Sequence, residues 1–144
     1  MDKEIKSDIG RIREVLESFQ KEDFHSGSSF YHSSSFPRGC CGDSTNLLGL
    51  FLKEKYGQDA LYVEAKGLGD NRDLSHAWLL IDGVIVDITG DQFNDIGYEV
   101  EPVVISDTSD FHDLFHNVKS YSLNAESLKG TAIASVLSKV RARL

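Results

Sequence analysis

His76-Ala77-Trp78-Leu79-Leu80-Ile81-Asp82-Gly83-Val84-Ile85-Val86-Asp87-Ile88 is the stretch on which the reading of this chain turns. Two apolar runs meet at Asp82-Gly83, a two-residue signal for a tight hairpin. Pairing the strands about that turn sets Ile81 opposite Val84, Leu80 opposite Ile85, Leu79 opposite Val86 and Trp78 opposite Asp87. Because side chains alternate, Ala77, Leu79, Ile81, Val84, Val86 and Ile88 share one wholly apolar face, which reads as core. The other face carries His76, Trp78, Leu80, Ile85, Asp87 and Thr89. There His76 and Asp87 are diagonal neighbours, about 7 to 8 Å apart at the backbone, a gap that an imidazole and a carboxylate can close with a hydrogen bond. A slip of one residue would turn every side chain over and leave Asp91 or Asn94 as the alternative partner.

A carboxylate that accepts from one ring nitrogen fixes the imidazole and leaves the other nitrogen to take a proton from a nucleophile. Upstream, residues 40–57 supply candidates. Leu47, Leu48, Phe51 and Leu52 form a helical stripe closed by Gly57, so Cys40 and Cys41 sit at a helix start. A helix N-terminus and a nearby imidazolium both favour a thiolate, and first-turn N–H groups suit an oxyanion. Helical phase does not choose between the two thiols: Cys40 aligns with Leu47 and Phe51, Cys41 with Leu48 and Leu52.

Gly39, Cys41, Asp43, Leu47 and Leu48, then His76-Ala77-Trp78, then Asp87 resemble, in that order, the transglutaminase-like branch of the papain-like cysteine enzymes. The likeness covers residues 39–93. It implies a papain-like, transglutaminase-like fold and a catalytic triad with Cys41 as nucleophile, His76 as base and Asp87 as orienting acid. It also implies acyl-enzyme chemistry of the kind run by transglutaminases, deamidases, amidases and peptidases. Two features depart from the pattern: a second cysteine at Cys40 and Gly42 just after the nucleophile. An oxyanion-hole side chain is expected from elsewhere in the chain, with Gln20, His32 and Gln92 as candidates.

At 144 residues, with 40% hydrophobic and 26% charged residues, the chain has the composition of one globular domain, residues 1–144. Ile5, Ile9, Ile12, Val15, Leu16 and Phe19 predict an amphipathic helix over residues 3–21. A Ser- and Gly-rich approach follows at 25–39, with residues 26–35 read as a flap over the cleft or a solvated loop. Strands are predicted at 60–65 and 99–105 beside the hairpin, with a short helical piece at 110–116 and a longer helix from Ala125. The sum is an α+β domain: N-terminal helices on an antiparallel β-sheet with a C-terminal helix.

A net charge of −8 argues against nucleic acid as a partner. No signal-like or membrane-length apolar run is present, so a cytoplasmic protein with reduced thiols is expected. The triad needs no cofactor, and the expected partner is a peptide or protein substrate, with no membrane. His112 and His116, four apart, raise a zinc reading together with Cys40 and Cys41, weakened by the adjacent cysteines. The expected function is a cysteine-dependent acyl-transfer enzyme acting on an amide bond, with hydrolysis favoured over amine transfer. The alternatives are a catalytically silent fold serving as a peptide-binding or protein-interaction module, and a deamidating toxin or effector.

Overall fold

The computed structural model describes residues 1–33 and 35–144. Helices and strands are segregated along the chain, as an α+β domain requires. Helices α1 (Lys3–Ser18), α2 (Ser29–His32) and α3 (Cys41–Tyr56) come first, then strands β1 (Leu61–Leu68), β2 (Asn71–Ile81), β3 (Val84–Asp87), β4 (Val104–Ser106) and β5 (Phe115–Ser122). Helices α4 (Ala125–Leu128) and α5 (Ala132–Arg141) end the chain. Among the described residues, no helix is long and apolar enough to cross a membrane.

The strands form one sheet in the order β4-β3-β2-β1-β5, and every neighbouring pair is antiparallel. At its centre the hairpin has the register read from sequence: Leu79 pairs with Val86, Leu80 with Ile85 and Ile81 with Val84. Asp82 (φ 49°) and Gly83 (φ 81°) are both left-handed, as a type I′ turn demands. Leu79, Ile81, Val86 and Ile88 pack with Ile9, Ile12 and Leu16 of α1, Leu48 and Phe51 of α3 and Val136 and Val140 of α5. Trp78 belongs to a second apolar cluster, with Val63, Ala65, Leu68, Phe93 and Phe115.

Several element boundaries differ from expectation for identifiable reasons. Helix α1 stops at Ser18 rather than residue 21, because Phe19 turns extended (ψ 142°) and sets its ring edge-on against Phe24 at 5.3 Å. The long C-terminal helix is two helices, parted where Gly130 adopts a left-handed φ of 78°. The strand expected at 99–105 is only Val104–Ser106. The piece at 110–116 is a 3-10 turn over His112–Leu114 that leads into β5, a strand the sequence did not announce. Its apolar residues, Phe115, Val118 and Tyr121, recur every third position, and Val118 and Tyr121 remain half exposed.

The segment after β3 is held by a buried cation. Arg13 of α1 donates to both carboxylate oxygens of Asp91 at 2.8 Å, to the Ile88 carbonyl at 2.5 Å and to the Pro102 carbonyl at 3.1 Å. Its Nε donates to Glu17 at 2.6 Å. Removing one partner of such a network strands the others in an apolar setting. Arg13→Met is therefore expected to lower unfolding free energy by about 3 kcal/mol in urea titration. A loss below about 1 kcal/mol would show that the network adds no more than a surface ion pair does.

Candidate functional site

The imidazole of His76 reaches Asp87 from the neighbouring strand, Nε2 donating to Oδ2 at 2.7 Å. Both residues are only 2% exposed. The other carboxylate oxygen, Oδ1, accepts from the Thr89 backbone N–H at 2.9 Å and its hydroxyl at 3.4 Å. Gly90 makes this close approach possible, since a Cβ there would lie 2.9 Å from Asp87 Oδ2. The candidates left by a register slip are engaged elsewhere: Asp91 with Arg13, and Asn94 with the backbone of Val100 at both ends of its amide.

Burial works against a charge on His76, yet the charge and hydrogen bond of Asp87, with the neighbouring Cys41 adding, lift the imidazole to about 9. Burial likewise favours a protonated Asp87. The charge of His76 and hydrogen bonds from His112 and His76 outweigh it and hold the carboxyl far below its usual range. Aromatic rings enclose the pair: Phe93 lies 5.1 Å from the His76 ring, Trp78 5.6 Å and Phe115 6.0 Å. In such surroundings an ion pair is screened weakly.

Helix α3 begins at Cys41, and the two adjacent thiols have different fates. Cys40 is fully buried among the helices, donates to the Arg38 carbonyl at 3.3 Å, and is pushed up to about 11 by burial. Cys41 is half-buried and, together with His76, lines a cavity of about 570 Å³. The cavity wall follows sheet register. Glu64 lies between Ala77 and Lys119, and Lys66 between Ser75 and Asn117. Tyr62 completes it. Burial, with nearby Cys41 adding, pushes that phenol up to about 12, so it is an O–H donor at neutral pH.

Of the three oxyanion candidates, Gln92 alone reaches the pair. Its Nε2 lies 3.4 Å from His76 Nδ1 and donates to the Thr89 carbonyl at 3.0 Å, while its Oε1 accepts from the Gly39 N–H at 3.4 Å. Gln20 caps the 3-10 turn Lys21–Asp23, and His32 bonds the Ser26 carbonyl at 2.8 Å. The approach to Cys41 is anchored. Asp43 accepts from the Ser29 backbone and hydroxyl at 2.6 and 2.8 Å, Phe24 stacks on Phe30, and Arg38 pairs with Asp95 at 2.6 Å. Within residues 26–35, Ser34 lies outside the described residues.

One participant was missed. His112 donates from Nε2 to the same Asp87 Oδ2 at 2.7 Å. His116 turns the other way, to the Gly69 carbonyl at 2.6 Å, so the zinc reading built on His112, His116 and the cysteines is not assembled. His76, Asp87 and His112 do bring three ligand-type atoms within 4.8 Å of one another. Both imidazoles, however, point hydrogens at a single oxygen at hydrogen-bond distance, an arrangement for sharing protons rather than for surrounding a cation.

The two shifts carry a pH signature. His76, raised in the fold, contributes stability that is complete below about pH 6.5 and is lost as pH rises through about 9. Asp87, depressed in the fold, contributes stability that is complete above about pH 3.9 and is lost as pH falls below it. Urea midpoints are expected to decline between about pH 6.5 and about pH 9, a limb that His76→Gln removes. A wild-type profile flat over that range would mean that His76 gains no proton affinity on folding. Compared with protein-family models, with curated proteins and with solved structures, the chain matches none.

Proposed function

We propose that this chain is a cysteine-dependent acyl-transfer enzyme of papain-like, transglutaminase-like type that hydrolyses an amide bond. The observation that carries the reading is the buried His76, held on Asp87 at Nε2 and lining one cavity with the thiol that opens a sixteen-residue helix. In the proposed reaction His76 takes the Cys41 proton, and the thiolate adds to the amide carbonyl carbon. The Cys41 N–H at the start of α3 and the Gln92 amide are the proposed donors to the developing oxyanion. Collapse breaks the C–N bond, and the amine departs with the proton from His76. Water, deprotonated by His76, then releases the acyl group as a carboxylic acid and restores the thiol. Peptidase, amidase and deamidase outcomes share these steps.

Cys40 is a built-in control, since it is adjacent in sequence but buried. Iodoacetamide labelling with mass-spectrometric site mapping is expected to modify Cys41 rapidly at about pH 6 and Cys40 scarcely at all. An ordinary thiol of pKa about 8.5 is only about 0.3% ionised there, so His76→Ala should slow Cys41 labelling about 100-fold. Equal, slow labelling in both proteins would sink the enzyme reading and favour a binding module.

Gln92 separates oxyanion stabilisation from thiol activation. With an activated aryl acetate as surrogate acyl donor, Gln92→Ala is expected to slow acetylation of Cys41 about 100-fold. Iodoacetamide labelling, which builds no oxyanion, should stay unchanged. A parallel loss of both reactions would instead make Gln92 a support for His76.

A further inference from the structure

Two imidazoles share one carboxylate oxygen here. Asp87 Oδ2 accepts from His76 Nε2 and from His112 Nε2, each at 2.7 Å, and all three side chains are at most 2% exposed. A carboxylate only accepts, so each Nε2 carries a hydrogen. If both rings were cationic, a single anion would face two charges in an apolar aromatic enclosure, which is costly. At most one ring carries the charge.

The hydroxyl of Ser109 holds the far side of the His112 ring. Its Oγ accepts from the His112 backbone N–H at 3.2 Å and lies 2.6 Å from His112 Nδ1. A hydroxyl has one hydrogen and two acceptor positions, so Oγ can serve Nδ1 as donor or as acceptor, and either way the contact holds the ring with Nε2 aimed at Asp87. The charged and titratable groups facing His112 are Asp87 from β3 and His76 from β2. Asp110 and Asp113, on its own segment, are exposed.

We propose that His112 is a positioning residue of the candidate site: an imidazole that carries a hydrogen on Nε2, is held by Ser109, and fixes Asp87 so that the carboxylate stays aligned on His76. The role rests on reading Cys41, His76 and Asp87 as the catalytic set. It gives that set a second support for its acid, arriving from the turn before β5 rather than from the hairpin. The ring of Trp78 packs edge-on against the His112 ring, with centroids 4.6 Å apart.

Long-range ¹H–¹⁵N spectra of the full chain labelled at histidine read the tautomers directly. Between about pH 5 and about pH 8 both His112 and His76 are expected to keep a hydrogen on Nε2. A His112 whose Nε2 carries no hydrogen overturns the proposal. As a second reading, His112→Phe fills the space without a donor and should slow Cys41 labelling at about pH 6 at least about 10-fold, with His112→Gln, which restores a donor, within about 3-fold of wild type. Rescue by Phe as good as that by Gln reduces His112 to packing and overturns the role. One equivalent of zinc bound by wild type and lost in His112→Gln also overturns it, because ligation would replace both donated hydrogens. Slow wild-type labelling alongside the expected tautomers removes the catalytic reading, and the positioning role with it.

Discussion

A carboxylate cannot be sealed among aromatic rings unless donors surround it, and Asp87 imposes that condition on everything nearby. Its two oxygens take hydrogens from a β2 imidazole, from the imidazole before β5, and from the amide and hydroxyl of Thr89. The electrostatic cost of burial is met by four donors from three parts of the chain. Each partner is thereby fixed as well: the hairpin register brings His76 to the carboxylate, and the tight Ile88-Thr89-Gly90 turn brings the amide. Pairing of β5 with β1, from Leu61↔Ser122 to Leu68↔Phe115, carries the His112 turn to the same place.

The candidate site has two halves, and the segment Gly90–Ile96 joins them. Sheet residues furnish His76 and Asp87, while the helical layer furnishes Cys41. Gln92 touches both through His76 and Gly39, Asp95 holds Arg38, and Asp91 is clamped by Arg13. This segment is a 3-10 helix whose side chains point three ways, so a short stretch can address the sheet, the approach to Cys41 and α1 together. Adjacent cysteines have no such ambiguity once the helix is set: one faces the core and the other the cavity.

Legibility in the sequence followed the range of the interactions. The His76 and Asp87 pair was readable because a two-residue turn and strict alternation determine register, and both are local. The cysteines were readable as a helix start, but choosing Cys41 needed a resemblance, since Leu47 and Leu48 support either phase. His112 was visible only as half of an i, i+4 pair with His116, a helical pattern in a segment that becomes a turn and an edge strand. No local signal would have found it, because Phe115–Ser122 lacks alternation and pairing with β1 rather than side-chain pattern makes the strand. Gln92 was one glutamine among three, and only the fold distinguishes it.

The parts of the candidate site are separated along the chain by unequal distances, and that bears on the order in which they can come together. His76 and Asp87 are 11 positions apart and joined by a hairpin, so closing that loop costs little chain entropy. Asp87 and His112 are 25 positions apart, and Cys41 reaches the cavity only when α3 has docked across β2. Loop-closure entropy thus favours early assembly of the imidazole–carboxylate pair and late arrival of the thiol. A half-folded chain accordingly carries a paired imidazole with no thiol beside it, and the two come to line one cavity only as the layers close.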